Sequence, residues 1–237
     1  MATIMATIID ADSFIESEAF EYDASLKEVV IPDNVTQIGK YAFSGCSRLK
    51  TVHIHDSVTE IGESAFSGCL GLKTIHLPQS LSIIETGTFE NCKGLAEIVF
   101  PERLTTIGRN AFANCFGLID LQLPDSISDI GDHAFEDCGG LLDIHLPYEL
   151  TTINEYTFSG CKRLTVVSIP DRVRLIKNWA FFRVLRNQKS MDKWKRNDRG
   201  QCIYIFHTHS GKDTLIQLMV VSSHAIFYND SFWCVKV

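Results

Sequence analysis

Residues 49 to 71 read LKTVHIHDSVTEIGESAFSGCLG, and the same 23-residue sentence is rewritten before and after them along most of the chain. Phenylalanine returns at Phe20, Phe43, Phe66, Phe89, Phe112, Phe135, Phe158 and Phe181, each 23 residues from the last. Cysteine keeps the interval at Cys46, Cys69, Cys92, Cys115, Cys138 and Cys161. Leucine opens each unit at Leu26, Leu49, Leu72, Leu95, Leu118, Leu141 and Leu164. A period of this length without insertions predicts a solenoid.

Inside one unit the apolar rhythm changes. Val52 and Ile54 alternate around His53, which predicts a short strand with one inward face. Val58, Ile61, Ala65, Phe66 and Cys69 follow at steps of 3, 4, 1 and 3, a helix-like stripe interrupted by Gly62, which predicts a turn and a short helical return. The expected class is therefore an α/β repeat solenoid. One unit cannot bury its faces alone, so neighbouring units must cover them, with the strands joined in a parallel sheet.

The pattern LxxVxIPxxVxxIGxxAFxxC, readable in Leu26 to Cys46, resembles the BspA-like leucine-rich repeat family over roughly residues 3 to 184. The resemblance implies a curved solenoid whose parallel sheet lines the concave face, with short helical or turn returns outside it. It also implies a binding role, often at cell surfaces or in adhesins.

Residues 1–25 read as a degenerate capping repeat, because Asp23 stands in the cysteine column and Glu16, Glu18 and Glu21 make the return acidic. In this worn unit Thr3, Ala6 and Ile8 align with Leu26, Val29 and Ile31. Residues 26–186 hold seven units. Proline follows the strand at Pro32, Pro78, Pro101, Pro124, Pro147 and Pro170, where it ends strand hydrogen bonding. The period fails where Val184 replaces cysteine and Asn187 replaces leucine. Residues 187–237 then read as a basic linker and a short β-rich tail, for which a C-terminal cap, a small module and a gene-model artefact are the alternatives.

Residues 1–182 carry 13 Lys and Arg against 25 Asp and Glu, while 183–237 carry 9 against 4. An acidic repeat body disfavours nucleic acid as a partner. Near the C-terminus the uncharged run Thr214–Asn229 is too short and polar to span a bilayer. The six column cysteines, stacked in parallel, read as small buried hydrophobes and not as disulfides. The opening MATIMATIIDAD shows no basic region or clean apolar run, so an intracellular protein is expected, with the cell surface as the alternative.

Residues between inward strand positions form the candidate binding strip: Glu28, Val30, Thr51, His53, Thr74, His76, Glu97, Val99, Asp120, Gln122, Asp143, His145, Val166 and Ser168. Their types vary while the core columns hardly do, which points to a protein partner held on a rigid sheet. His53 and His76 on adjacent strands, and Cys202, His207, His209, His224 and Cys234 in the tail, supply metal-type ligands, but the first pair is too few, with Thr51 and Thr74 beside it, and the second fits no zinc motif, so no metal is expected. Ser44, Ser67 and Ser159 recur with the period, and no GxSxG or HExxH occurs, so neither catalysis nor a cofactor is expected. The readings are thus a non-enzymatic interaction scaffold or, alternatively, a surface adhesin or coat module.

Overall fold

The computed structural model describes residues 7–9, 12–164 and 166–184, together with the strand backbones Lys195–Arg196, Cys202–Ser210, Asp213–Val221 and Ile226–Phe227. Each 23-residue coil has three arms. The first arms are the strands Glu28–Val30, Thr51–His53, Thr74–His76, Glu97–Val99, Asp120–Gln122, Asp143–His145 and Val166–Ser168. They pair in parallel with Thr51 opposite Glu28 and Thr74, and with Asp143 opposite Asp120 and Val166, so the sequence period is the ladder register. The second arms are two-residue strands such as Gln37–Ile38, Glu60–Ile61 and Thr106–Ile107, each with one buried isoleucine.

No helix occurs among the described residues, and the expected α/β class with helical returns is overturned: the molecule is a parallel β-solenoid. Backbone hydrogen bonding in the third arm gives the reason. The N–H groups of Tyr41, Phe43 and Gly45 donate to Glu63, Ala65 and Ser67 of the next coil at 3.0, 2.8 and 2.7 Å. Those of Ala42, Ser44 and Cys46 close tight turns on Gly39, Tyr41 and Phe43. A helix needs each N–H directed four residues back, and here every second one is committed to a neighbour. Two left-handed residues per coil set this geometry, at Tyr41 and Gly45 in one coil and at Ser64 and Gly68, Asn110 and Asn114, or Tyr156 and Gly160 in others.

The core runs along the axis. All eight period phenylalanines stack, with centroids from 5.2 to 5.7 Å apart. Beside them the six cysteines are free and buried. Each thiol donates to the phenylalanine carbonyl of the preceding coil, as in Cys69 Sγ to Phe43 O at 3.2 Å and Cys115 Sγ to Phe89 O at 3.1 Å. Burial pushes Cys46 up to about 11 and Cys92 and Cys138 up to about 12, and drives Cys69, Cys115 and Cys161 well above 9.0.

The ladders are not continuous. Among the described residues the first is interrupted between Glu97–Val99 and Asp120–Gln122, where Phe100 is the one aromatic in the column Ile31, Ile54, Leu77, Leu123, Leu146 and Ile169. The second is interrupted before Ile83–Ile84 and before Thr152–Ile153. In these two coils the column glycine is replaced, by Glu85 and Asn154. A Cβ on Gly39, Gly62, Gly108 or Gly131 would meet backbone of the preceding coil at 2.5 to 2.7 Å, so glycine there permits close approach of coils. Asn154 compensates with its side-chain amide, which donates to Ile130 O at 2.6 Å. Lys177 occupies the column and still pairs, its N–H reaching Ile153 O at 2.9 Å. Alanine at Gly108 is expected to cost about 1 to 3 kcal/mol, because the neighbouring atoms are backbone and cannot rotate away; a fall in the urea midpoint at unchanged slope measures it.

At the N-terminus Thr7 pairs with Val29 and Ile8 with Val30, 22 residues apart instead of 23. The one-residue offset turns Ile8 outward, 73% exposed, and seats Ile9 inward. Ile9, not Ile8, is thus the inward residue of that worn unit. At the other end Ser168 pairs with Val220 of Asp213–Val221, which forms an antiparallel hairpin with Cys202–Ser210, and Leu175–Ile176 pairs with Ile226–Phe227.

Candidate functional site

The strip expected from the sequence lies along the first ladder. Val29, Val52, Ile75, Leu121 and Ile144 point into the core. His53, His76, Glu97, Val99, Asp120, Gln122 and His145 are exposed, and Glu28, Val30, Thr51, Thr74 and Asp143 are half-buried. Val166 and Ser168 contribute strand backbone, and their side chains lie outside the described residues. The register sets Thr74 opposite Glu97, His76 opposite Val99, Asp120 opposite Asp143 and Gln122 opposite His145. His53 Nε2 lies 3.2 Å from Glu28 Oε1, which places those two columns on one face.

The two histidines of adjacent coils do not form a ligand pair with a third group. Ladder pairing runs through Thr51–Thr74 and Val52–Ile75, and His53 is engaged by Glu28. Among the described residues no group of three or more His, Cys, Asp and Glu is placed to hold a metal ion. Of the tail set, Cys202, His207 and His209 fall on a strand whose side chains are not described, and His224 and Cys234 lie outside the described residues.

A third accessible column was missed. Lys27, Lys50 and Lys73 precede their strands and stack directly, with Lys50 N–H donating to Lys27 O at 2.8 Å and Lys73 N–H to Lys50 O at 3.1 Å. In the following coils this column becomes Ala96, Ile119 and Leu142. The signal for it was available: Lys-Thr-Val-His at 50–53 and Lys-Thr-Ile-His at 73–76 repeat every outward residue.

The chain matches the family described as the BspA type leucine rich repeat region, in six copies, over residues 13–141 and 129–193. It belongs to the BspA-type leucine-rich repeat family. Such repeats build scaffolds that generally mediate protein interactions. Several solved structures are similar to this BspA-type chain. A leucine-rich repeat protein from Bacteroides ovatus shares 34% identity at a TM-score of 0.63, over 65% of this chain and 42% of that one. The T. pallidum leucine rich repeat protein shares 33% identity at a TM-score of 0.59, over 67% of this chain and 79% of that one. The chain thus spans less than half of the Bacteroides protein. A leucine rich cell surface protein from Faecalibacterium prausnitzii is 24% identical over 72% of this chain and 74% of that one, at a TM-score of 0.34. The comparisons lend no support to the intracellular expectation. No curated protein matches the sequence. Among the described residues no helix is long and apolar enough to cross a membrane.

Proposed function

We propose that this BspA-type chain is a non-enzymatic scaffold that binds a protein partner through the outward face of the first ladder. The carrying observation is the contrast between columns. Residues opposite one another on that face change from valine to histidine to glutamine, whereas the stacked phenylalanine column in the core holds one residue type through eight coils. A sheet with a fixed core and freely varying display is a recognition platform.

The test replaces His53, His76 and His145 with Glu and Gln122 with Lys, all exposed positions whose exchange leaves the core intact. A partner retained from source-cell lysate by the wild type is expected to be lost by the variant at unchanged melting temperature. Retention of the same partner by the variant would move the site elsewhere.

The pairing of Asp213–Val221 and Ile226–Phe227 with the last coil supports reading residues 187–237 as a C-terminal cap, and residues 1–25 as its N-terminal counterpart. Capping of this kind covers edges that would otherwise template aggregation.

A further inference from the structure

We propose that the first-ladder face takes an extended protein segment that is acidic at one end and apolar at the other. Its carboxylates lie along Lys27, Lys50 and Lys73 and its apolar side chains along Ala96, Val99 and Ile119. This rests on the reading of that face as the partner-binding surface and adds the chemistry of the partner.

The argument starts from the duplicated outward residues. Lys50, Thr51 and His53 in one coil are repeated by Lys73, Thr74 and His76 in the next, with Thr51 opposite Thr74. All six side chains can donate hydrogen bonds, and both ammonium groups can do nothing else. Lys27 extends the column by one coil. Among residues 27–30, 50–53 and 73–76 the sole carboxylate is Glu28, and His53 holds it.

The three lysines are exposed, and the side-chain ion pairs formed among the described residues involve Lys40, His53, His133 and Arg172 instead. Like charges on neighbouring strands, about 4.8 Å apart, destabilise a sheet. A repeat body with 25 acidic and 13 basic residues has carboxylates to spare, yet of the two in the adjoining rungs Glu28 is held by His53 and Glu97, opposite Thr74, forms no ion pair with Lys73. An acidic ligand supplies the missing counter-charges.

The next coils settle which kind of acidic ligand. Lys73 leans along the axis, its Nζ 3.2 Å from where a Cβ on Gly94 would sit. Beyond it come Ala96, Val99 at 39% exposure and Ile119 at 43%. A sulfated polysaccharide would match the lysines, leave these apolar side chains uncovered and be repelled by the exposed carboxylates of Glu97 and Asp120 beside them. A peptide covers both. Four strand steps from Lys27 to Ile119 span about 19 Å, the length of about six extended residues at about 3.3 Å each.

The test uses the full chain and two fluorescein-labelled hexapeptides, Glu-Glu-Glu-Leu-Val-Leu and Lys-Lys-Lys-Leu-Val-Leu, read by anisotropy, with heparin as the polysaccharide. The acidic peptide is expected to bind at least about tenfold tighter than the basic one, and to weaken as salt screens the lysines. The variant Lys50→Glu with Lys73→Glu is expected to lose that preference at unchanged melting temperature. Equal binding of the two peptides, an unaffected variant, or binding of heparin without the acidic peptide would each overturn the proposal. The two readings fail separately. A source-cell partner lost by the His53, His76, Gln122 and His145 variant but retained by the lysine variant sinks the acidic segment and leaves the face as the site.

Discussion

Raising the pH from 8 to 10 is expected to remove about 8 kcal/mol of folding stability. The source is the cysteine column. An unfolded thiol ionises near 9.0, while burial keeps all six folded thiols protonated well above that, Cys46 to about 11 and Cys92 and Cys138 to about 12. Below pH 8 both states are neutral and the contribution is fully present. Above 9 the folded state binds the extra protons, so stability falls as pH rises. Each thiol contributes about 1.4 kcal/mol per pH unit, and six act together against a typical total of about 5 to 15 kcal/mol. Guanidinium titrations followed by circular dichroism at pH 8, 9 and 10 measure the slope. Alanine at Cys92 and Cys115 removes two of six thiols and should lower it by about a third, a ratio that separates thiols from lysines and tyrosines titrating nearby. A slope untouched by that double change would mean that the column is open to water.

The second large effect lies in the ring stack. Phe112 is sandwiched between Phe89 and Phe135 at 5.4 Å on either side, and Phe100 meets it edge-on at 5.9 Å. Truncation to alanine removes a fully buried ring from between two coils, with an expected cost of about 3 to 5 kcal/mol. In a solenoid, stability passes through nearest-neighbour interfaces, so the damage has a second signature. Phe112→Ala should split one unfolding transition into two, the coils on each side melting separately, whereas Phe20→Ala, at the end of the stack with one ring neighbour, should cost less and leave a single transition. Equal losses at Phe20 and Phe112 would show that the stack carries no coupling between coils.

The sequence carried the coil length, the strand positions and the inward residues, because each is a column sampled six to eight times at one interval. It misled on the return. Ala65, Phe66 and Cys69 have the spacing of a helical stripe, but the spacing arises from tight turns that alternate bonds within the coil and to its neighbour. The overriding signal was another column: Gly45, Gly68, Asn91, Asn114, Asp137 and Gly160 are mostly residue types that accept a left-handed backbone. Glycines at Gly39, Gly62, Gly108 and Gly131 were legible as special, though what demands them is the backbone of the adjacent coil, which no single unit reveals. The exposed strip followed from strand alternation, whereas Lys27, Lys50 and Lys73 lie just outside the alternating segment and so escaped it.

The interruptions of the two strand ladders fall in different coils: the first after Val99, the second before Ile83 and before Thr152. The third arm has no such seam, since the bonds from Tyr41, Phe43 and Gly45 recur from Ser64, Phe66 and Gly68 and on through Tyr156, Phe158 and Gly160. The molecule is thus built like a bound book. One edge is sewn along its whole length and fixes the distance between leaves, while the other two are gathered in sections whose joints never coincide. Bending loads are taken up one joint at a time, and a partner lying across Val99 and Gln122 would bridge the joint in the proposed binding face.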